Sequence, residues 1–159
     1  MLNLTQSEEC LNLNIIRPVD INPDTKLPVL LWIYGGGYRQ GSSADPMWNM
    51  SYIVAQSVAQ GQPILGLSIN YRISFLGFPS SQEVVSAGVA NLGIKDQRAS
   101  LQWVQENIAF FGGDPSKVTI WVSISKSAIV HQCQPAIDLV EATRPTTMPC
   151  FSFLTENLN

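Results

Sequence analysis

LPVLLWIYGGGY, residues 27–38, joins a continuous apolar run to three consecutive glycines. A run without polar alternation is typical of a strand that is buried on both faces of a sheet. The glycines follow at the carboxyl end of that strand, which is where ligands bind in open α/β sheets. Because Gly35, Gly36 and Gly37 have no Cβ, a substrate could approach their backbone N–H groups closely. The pattern therefore predicts a binding turn, with an ordinary tight turn as the alternative.

The segments on either side of this stretch alternate between strand and helix patterns. Their order indicates an α/β fold with a mostly parallel sheet and flanking helices. Besides the strand before the glycines, the sequence predicts a strand in CLNLNII at 10–16, a helix at 46–60, a strand in PILGLSI at 63–69, a helix at 95–110 and a strand in KVTIW at 117–121.

The composition of the 159 residues limits the kinds of partner. An apolar share of 45% is enough to bury the core of one domain. A net charge of −3, with only 13% charged residues, gives no basic face for nucleic acid. No apolar run has the length of a membrane span, and the three cysteines lack metal-ligand spacing. We expect a small-molecule ligand, with no nucleic acid, membrane span, metal or cofactor.

Four blocks of sequence, taken in order, carry a resemblance: EECLNLNIIRP at 8–18, WIYGGGY at 32–38, INYR at 69–72 and NLGIKDQRASLQWVQENIAFFGGDP at 91–115. Together they resemble the type B carboxylesterases, a family that includes fungal lipases and cholinesterases. The resemblance covers residues 7–121 and implies an incomplete α/β-hydrolase fold. It also implies that Gly36 and Gly37 occupy the positions of two oxyanion-hole donors, and that Asp96, Gln97 and Trp103 are scaffold.

The nucleophile of this family is missing from the sequence. In the family, KVTIW continues into G-E-S-A-G, a sharp turn that presents the catalytic serine. This chain continues with VSISK, so Ile124 falls on the nucleophile, and Val122 and Lys126 replace the two glycines. Isoleucine has no hydroxyl, and its branched Cβ tolerates a strained backbone poorly. Neither Ser123 nor Ser125 lies between glycines, so a shift of one residue does not restore the site.

The catalytic base and acid are missing as well. His131 is the only histidine and lies seven residues after the expected nucleophile, whereas the acid and histidine of the family arrive far downstream. In residues 122–159 we recognise no part of the family pattern. We therefore expect residues 1–121 to be the N-terminal part of a carboxylesterase domain and residues 122–159 to be an unrelated, irregular tail.

These observations favour a truncated member of the carboxylic ester hydrolase family. A complete version would hydrolyse carboxylic esters through a serine acyl-enzyme, with a small-molecule ester as its substrate, and we expect this chain to be inactive. Two alternatives stay open: a non-catalytic, cholinesterase-like binding protein, and a gene-model artefact caused by a frameshift, a retained intron or a misjoined exon. The ester specificity is left open because pocket-lining residues would lie mostly beyond residue 121.

The cellular location is also open. The family is often secreted, but MLNLTQSEEC lacks the basic and then apolar pattern of a signal peptide. Two tripeptides, Asn3-Leu4-Thr5 and Asn49-Met50-Ser51, match the acceptor pattern for N-glycosylation. Such a pattern suits a secreted protein, but it also occurs often by chance.

Overall fold

The computed structural model describes residues 9–19, 21–22 and 24–123. They form a four-stranded sheet in which β2 runs parallel to both of its neighbours and β1 pairs antiparallel with β3 at one edge. The mostly parallel sheet predicted from the sequence is therefore confirmed. The strands, in spatial order, are β1 (Leu13–Ile16), β3 (Leu65–Ile69), β2 (Leu27–Ile33) and β4 (Gly113–Val122).

The helix expected at 46–60 is divided in two. Asp45 caps a 3₁₀ turn, Pro46–Trp48, and accepts a hydrogen bond from the Met47 N–H. The chain then takes an extended conformation at Asn49 before α1, Ser51–Ala59, begins. Local side-chain to backbone hydrogen bonds of this kind compete with a continuous helix, which hydrophobic spacing alone does not reveal.

Three further helices lie between β3 and β4. Two are short, α2 (Ser74–Gly77) and α3 (Gln82–Ser86), and neither is long enough to show a hydrophobic period. The third, α4, spans Leu92–Asn107 and continues as a 3₁₀ turn, Ile108–Phe111. The helix predicted at 95–110 is thus present but begins three residues earlier.

The core lies between α4 and one face of the sheet. Leu101, Val104 and Ile108 are spaced on one side of this helical segment and are fully buried. They belong to the same cluster as Leu31 and Leu67 of the two central strands. Each such side chain contributes about 1.5–3 kcal/mol when it is withdrawn from water.

The fourth strand begins at Gly113, earlier than predicted. Gly113 pairs with Leu27, but the register then shifts, so that Val118 is the next partner on β4, opposite Val29. Within the irregular stretch, the Asp114 carboxylate accepts hydrogen bonds from the N–H and the hydroxyl of Ser116. The residues ahead of the strand predicted at 117–121 are therefore part of β4 and form a bulge within it.

The strand order predicts that a ligand crevice lies at the carboxyl end of β2. Its two parallel neighbours, β3 and β4, lie on opposite sides of it although they follow each other in the chain. Reversals of strand order leave room between the loops at the strand ends, and ligands of α/β sheets bind there. The three glycines follow β2 at this point.

Candidate functional site

The triglycine turn begins two residues after β2 ends. Gly36 has φ +119° and Gly37 has φ +62°, which residues with a Cβ rarely adopt. A Cβ on Gly36 would lie 1.9 Å from the carbonyl oxygen of Gln40. The Gly36 carbonyl accepts hydrogen bonds from the N–H groups of Arg39 and Gln40, at 3.1 and 3.4 Å. The turn itself therefore requires glycine at position 36.

At Gly37 the positive φ favours glycine, but no neighbouring atom would exclude a side chain. A Cβ at this position would meet no atom within 4 Å, and the residue is exposed. Among the residues that the structure describes, neither the Gly36 N–H nor the Gly37 N–H donates a hydrogen bond. Two unpaired donors on adjacent residues are an arrangement that can bind a developing oxyanion.

The turn lies directly against the end of β4. A Cβ on Gly35 would lie 2.3 Å from the carbonyl oxygen of Ser123, and the Ser123 N–H donates to the Ile33 carbonyl at 3.2 Å. Gly35, Ser123 and Gln97 also line a cavity of about 10 Å³. Ile124, the residue expected at the nucleophile position, lies outside the described residues, but it follows directly on this contact.

Tyr34 and Tyr71 join the ends of β2 and β3 next to the turn, and we call this pair the tyrosine clasp. The Tyr34 hydroxyl donates to the Tyr71 carbonyl at 2.9 Å, and the Tyr71 hydroxyl donates to the Tyr34 carbonyl at 2.7 Å. The two rings stack with their centres 4.5 Å apart. Burial raises the pKa of Tyr34 to about 12, although the hydrogen bond to Tyr71 acts in the opposite direction. Because Tyr34 precedes Gly35, the clasp fixes where the turn begins.

Sequence reasoning missed this clasp. Both tyrosines stand just after a buried strand, in WIYGGG and in INYR, and that shared position is the one signal that could have revealed it. A Cβ on Gly41 would lie 2.5 Å from the Tyr34 ring, so the far end of the glycine turn also packs against it. The clasp therefore supports both ends of the turn.

An ion pair joins the end of β3 to α4. The Asp96 carboxylate accepts hydrogen bonds from three nitrogens of Arg72, namely the backbone N, Nε and Nη2, at 3.0, 2.8 and 2.7 Å. These bonds raise the pKa of Arg72 above its ordinary value. Asp96 and Gln97 are buried, and Trp103 packs against Phe111 with ring centres 5.8 Å apart. Asp96 and Trp103 thus make structural contacts, Gln97 lines the cavity beside the turn, and the scaffold role expected of all three stays a prediction.

The remaining elements of the expected chemistry fall outside the described part of the chain. Lys126, Ser125 and His131 all lie beyond residue 123. Within the described ranges, no group of three or more His, Cys, Asp or Glu side chains could hold a metal ion. No helix in those ranges is both long enough and apolar enough to cross a membrane.

Comparison with known proteins identifies the family. The model of the carboxylesterase family matches residues 1–134. The chain belongs to the carboxylesterase family. The match continues past residue 121, where the resemblance read from the sequence ends, so the boundary at 121 stays a prediction. The resemblance deduced from those blocks is confirmed.

Fungal lipases are among the relatives of this carboxylesterase-family chain. It is 52% identical over 118 residues to Secreted lipase 1 of Botryotinia fuckeliana, covering 74% of this chain and 20% of that protein. It is 46% identical over 130 residues to Lipase 2 of Geotrichum candidum, covering 81% and 23%. The chain thus spans about a fifth of the length of these relatives, as expected of an N-terminal portion.

Solved esterase structures share the fold. A thermophylic PNB esterase aligns with a TM-score of 0.65 at 39% identity, over 74% of this chain and 23% of that one. Aspergillus niger EstA aligns with a TM-score of 0.64, also at 39% identity, over 73% and 22%. The incomplete α/β-hydrolase fold expected from the sequence is therefore confirmed.

Proposed function

We propose that this chain is the N-terminal part of a carboxylic ester hydrolase domain and that it supplies two oxyanion donors, the N–H groups of Gly36 and Gly37. The observation that carries the proposal is the position of these unpaired donors, on a turn that contacts the end of β4 at Ser123. A third donor of such a site is the N–H of the residue after the nucleophile, which is position 125 here.

The reaction of a complete domain explains what the turn contributes. A serine oxygen attacks the ester carbonyl carbon while a general base takes the hydroxyl proton, and the carbonyl oxygen becomes an oxyanion. The intermediate then expels the alcohol, and water hydrolyses the acyl-enzyme. Loss of a single oxyanion donor costs about 3 kcal/mol of transition-state stabilisation. The turn thus provides charge stabilisation, and Ile124 cannot provide the nucleophile.

We propose that the chain itself has no esterase activity. The full chain should release p-nitrophenol from p-nitrophenyl acetate no faster than a heat-denatured sample does, because it has no activated nucleophile. A fluorophosphonate probe should leave it unlabelled under conditions that label a fungal lipase of the same family. Stoichiometric labelling, mapped to Ser123 or Ser125, would show that the assignment of Ile124 to the nucleophile position is wrong.

We propose further that the family domain ends at residue 121 and that residues 122–159 are unrelated to it. In the encoding DNA, another frame or a candidate intron after the Trp121 codon should reveal a G-E-S-A-G-like elbow, followed by an acid and a histidine. Residues 7–121 support this proposal, because they keep the glycines and helix signals in register beside an abruptly different tail. Genomic and transcript reads that both continue through VSISK, with no such elbow downstream, would contradict it.

If the reads contradict it, the chain is a natural non-catalytic protein, and the cholinesterase-like binding protein becomes the leading alternative.

A secreted location is proposed for the whole protein. Two relatives carry the names Secreted lipase 1 and, in Gibberella zeae, Secreted triacylglycerol lipase LIP1. The protein should accumulate in the culture medium of the organism that encodes it, where an antibody to the folded chain would detect it. Detection in the cell extract alone would refute the location without affecting the assignment of Gly36 and Gly37.

A further inference from the structure

We propose that Asn49 is an attachment site for an N-linked glycan. Asn49-Met50-Ser51 has the acceptor pattern, with a central residue other than proline. Neither the glycine turn nor the tyrosine clasp uses these residues. The proposal rests on the secreted location proposed above, because oligosaccharide transfer takes place in the secretory pathway.

The fold presents the acceptor residues on the surface. Asn49 lies between the 3₁₀ turn Pro46–Trp48 and the start of α1, and both Asn49 and Ser51 are exposed. Met50, between them, is buried against β3, where a Cβ on Gly66 would lie 3.3 Å from the Met50 Cβ. The central side chain thus anchors the segment while its two neighbours face outward.

The hydrogen bonds of Asn49 leave the reacting atom available. Its Oδ1 accepts the Ser51 N–H at 3.0 Å, while its Nδ2 donates to no residue in the described part of the chain. Asn70 and Asn107 differ, because their Nδ2 atoms donate to the carbonyls of Cys10 and Trp103 at 3.1 and 2.9 Å. The fold therefore needs the side-chain N–H groups of Asn70 and Asn107 but not those of Asn49.

The transfer reaction uses this nitrogen. A bond forms between Nδ2 and the first carbon of an oligosaccharide, the bond from that carbon to a polyprenyl pyrophosphate breaks, and Nδ2 loses one proton. Transfer occurs on the extended chain, so the folded structure has only to tolerate the product. Replacing one hydrogen on an exposed and unpaired Nδ2 removes no bond from the fold.

The surroundings have room for a glycan and apolar surface for it to cover. Asn49 borders an open groove of about 490 Å³, which can accept the first sugars. Two large apolar side chains close to it in sequence are unusually exposed, Met47 at 74% and Tyr52 at 80%. A hydrated sugar above them would shield apolar surface that otherwise promotes association.

The test is expression of the full chain behind a cleavable secretion signal in yeast, with Asn3→Gln in the background so that Asn49 is the single acceptor. Only chains from which the signal has been cleaved are analysed, since cleavage shows that they entered the secretory pathway. Peptide mapping before and after treatment with peptide N-glycosidase should show a glycan on Asn49, and its enzymatic removal should leave aspartate there.

Matched variants identify the acceptor. Asn49→Gln and Ser51→Ala should each abolish the glycan, and Ser51→Thr should retain it. The glycosylated chain should also bind less of a hydrophobic dye than Asn49→Gln does. Signal-cleaved chains with unmodified Asn49 would overturn the proposal, and so would a glycan that survives Asn49→Gln. Neither readout depends on ester hydrolysis, so this proposal can fail while the proposed function stands.

Discussion

Replacing Asp96 with alanine should destabilise the chain strongly, because Asp96 joins the end of β3 to α4. Its carboxylate accepts three hydrogen bonds from Arg72, and Asp96 is only 5% exposed, whereas the Arg72 side chain is 34% exposed. The substitution leaves a guanidinium that can regain water and a backbone N–H that loses its partner.

The size of the effect follows from this asymmetry. Breaking a buried ion pair by removing one partner costs about 3–5 kcal/mol of unfolding free energy. Since the Arg72 side chain is about one-third exposed, we expect Asp96→Ala to fall at the lower end, about 3 kcal/mol. The double variant Asp96→Ala, Arg72→Ala should lose less than the sum of the single variants, with a coupling of about 1–3 kcal/mol.

Urea unfolding followed by tryptophan fluorescence, at low protein concentration, measures these losses. With a slope of about 1–3 kcal/mol per molar, a loss of about 3 kcal/mol lowers the midpoint by about 1–3 M. Lys117→Gln is the matched control, because it breaks a surface pair with Asp114, at 3.3 Å, and should cost at most about 1 kcal/mol. If Asp96→Ala costs no more than this control, the ion pair does not hold β3 to α4.

Three further perturbations test the turn and the ionisable groups. Because the pKa of Tyr34 is raised from 10.0 to about 12, stability should fall by about 2–3 kcal/mol between pH 10 and 12, and Tyr34→Phe should remove this slope in alkaline unfolding curves. Partial burial would raise the pKa of Asp114, but hydrogen bonds from Ser116 and the nearby Lys117 lower it. The stability that the ionised Asp114 contributes should be present above the ordinary aspartate pKa and be lost as pH falls through the lowered value. Asp114→Asn should therefore flatten the dependence of acid unfolding on pH in that range. Gly36→Ala should lower the unfolding free energy measured in urea by about 3 kcal/mol or more. Gly61→Ala is the control: it has φ +70° and no atom within 4 Å of the added Cβ, and it should lower that free energy by about 1 kcal/mol. Equal losses would mean that the contact with Gln40 is unimportant.

Elements with a strong local pattern were predicted correctly from the sequence. The strands before the glycines and at 63–69 lie in apolar runs, and the helix predicted at 95–110 has Leu101, Val104 and Ile108 on one side. What the sequence did not show depends on single hydrogen bonds. The break at Asn49 rests on side-chain caps, and the bulge in β4 rests on Asp114.

Long-range contacts explain why the clasp and the ion pair were missed. Tyr34 and Tyr71 are 37 residues apart, and Arg72 and Asp96 are 24 residues apart. Each partner alone looks like an ordinary residue at the end of an element. These residues come into contact because the strand order brings the ends of β2 and β3 together and places α4 beside them.

The two halves of an esterase site differ in how far they depend on distant residues. An oxyanion turn is made of backbone N–H groups, and three adjacent glycines after a buried strand make it visible in the sequence. A nucleophile, its base and its acid are side chains that different strand ends must bring together. Under the proposed function, this chain, which spans about a fifth of its relatives, keeps the first half and lacks the second. The contact of Gly35 with Ser123 marks where the two halves would meet, one residue before position 124.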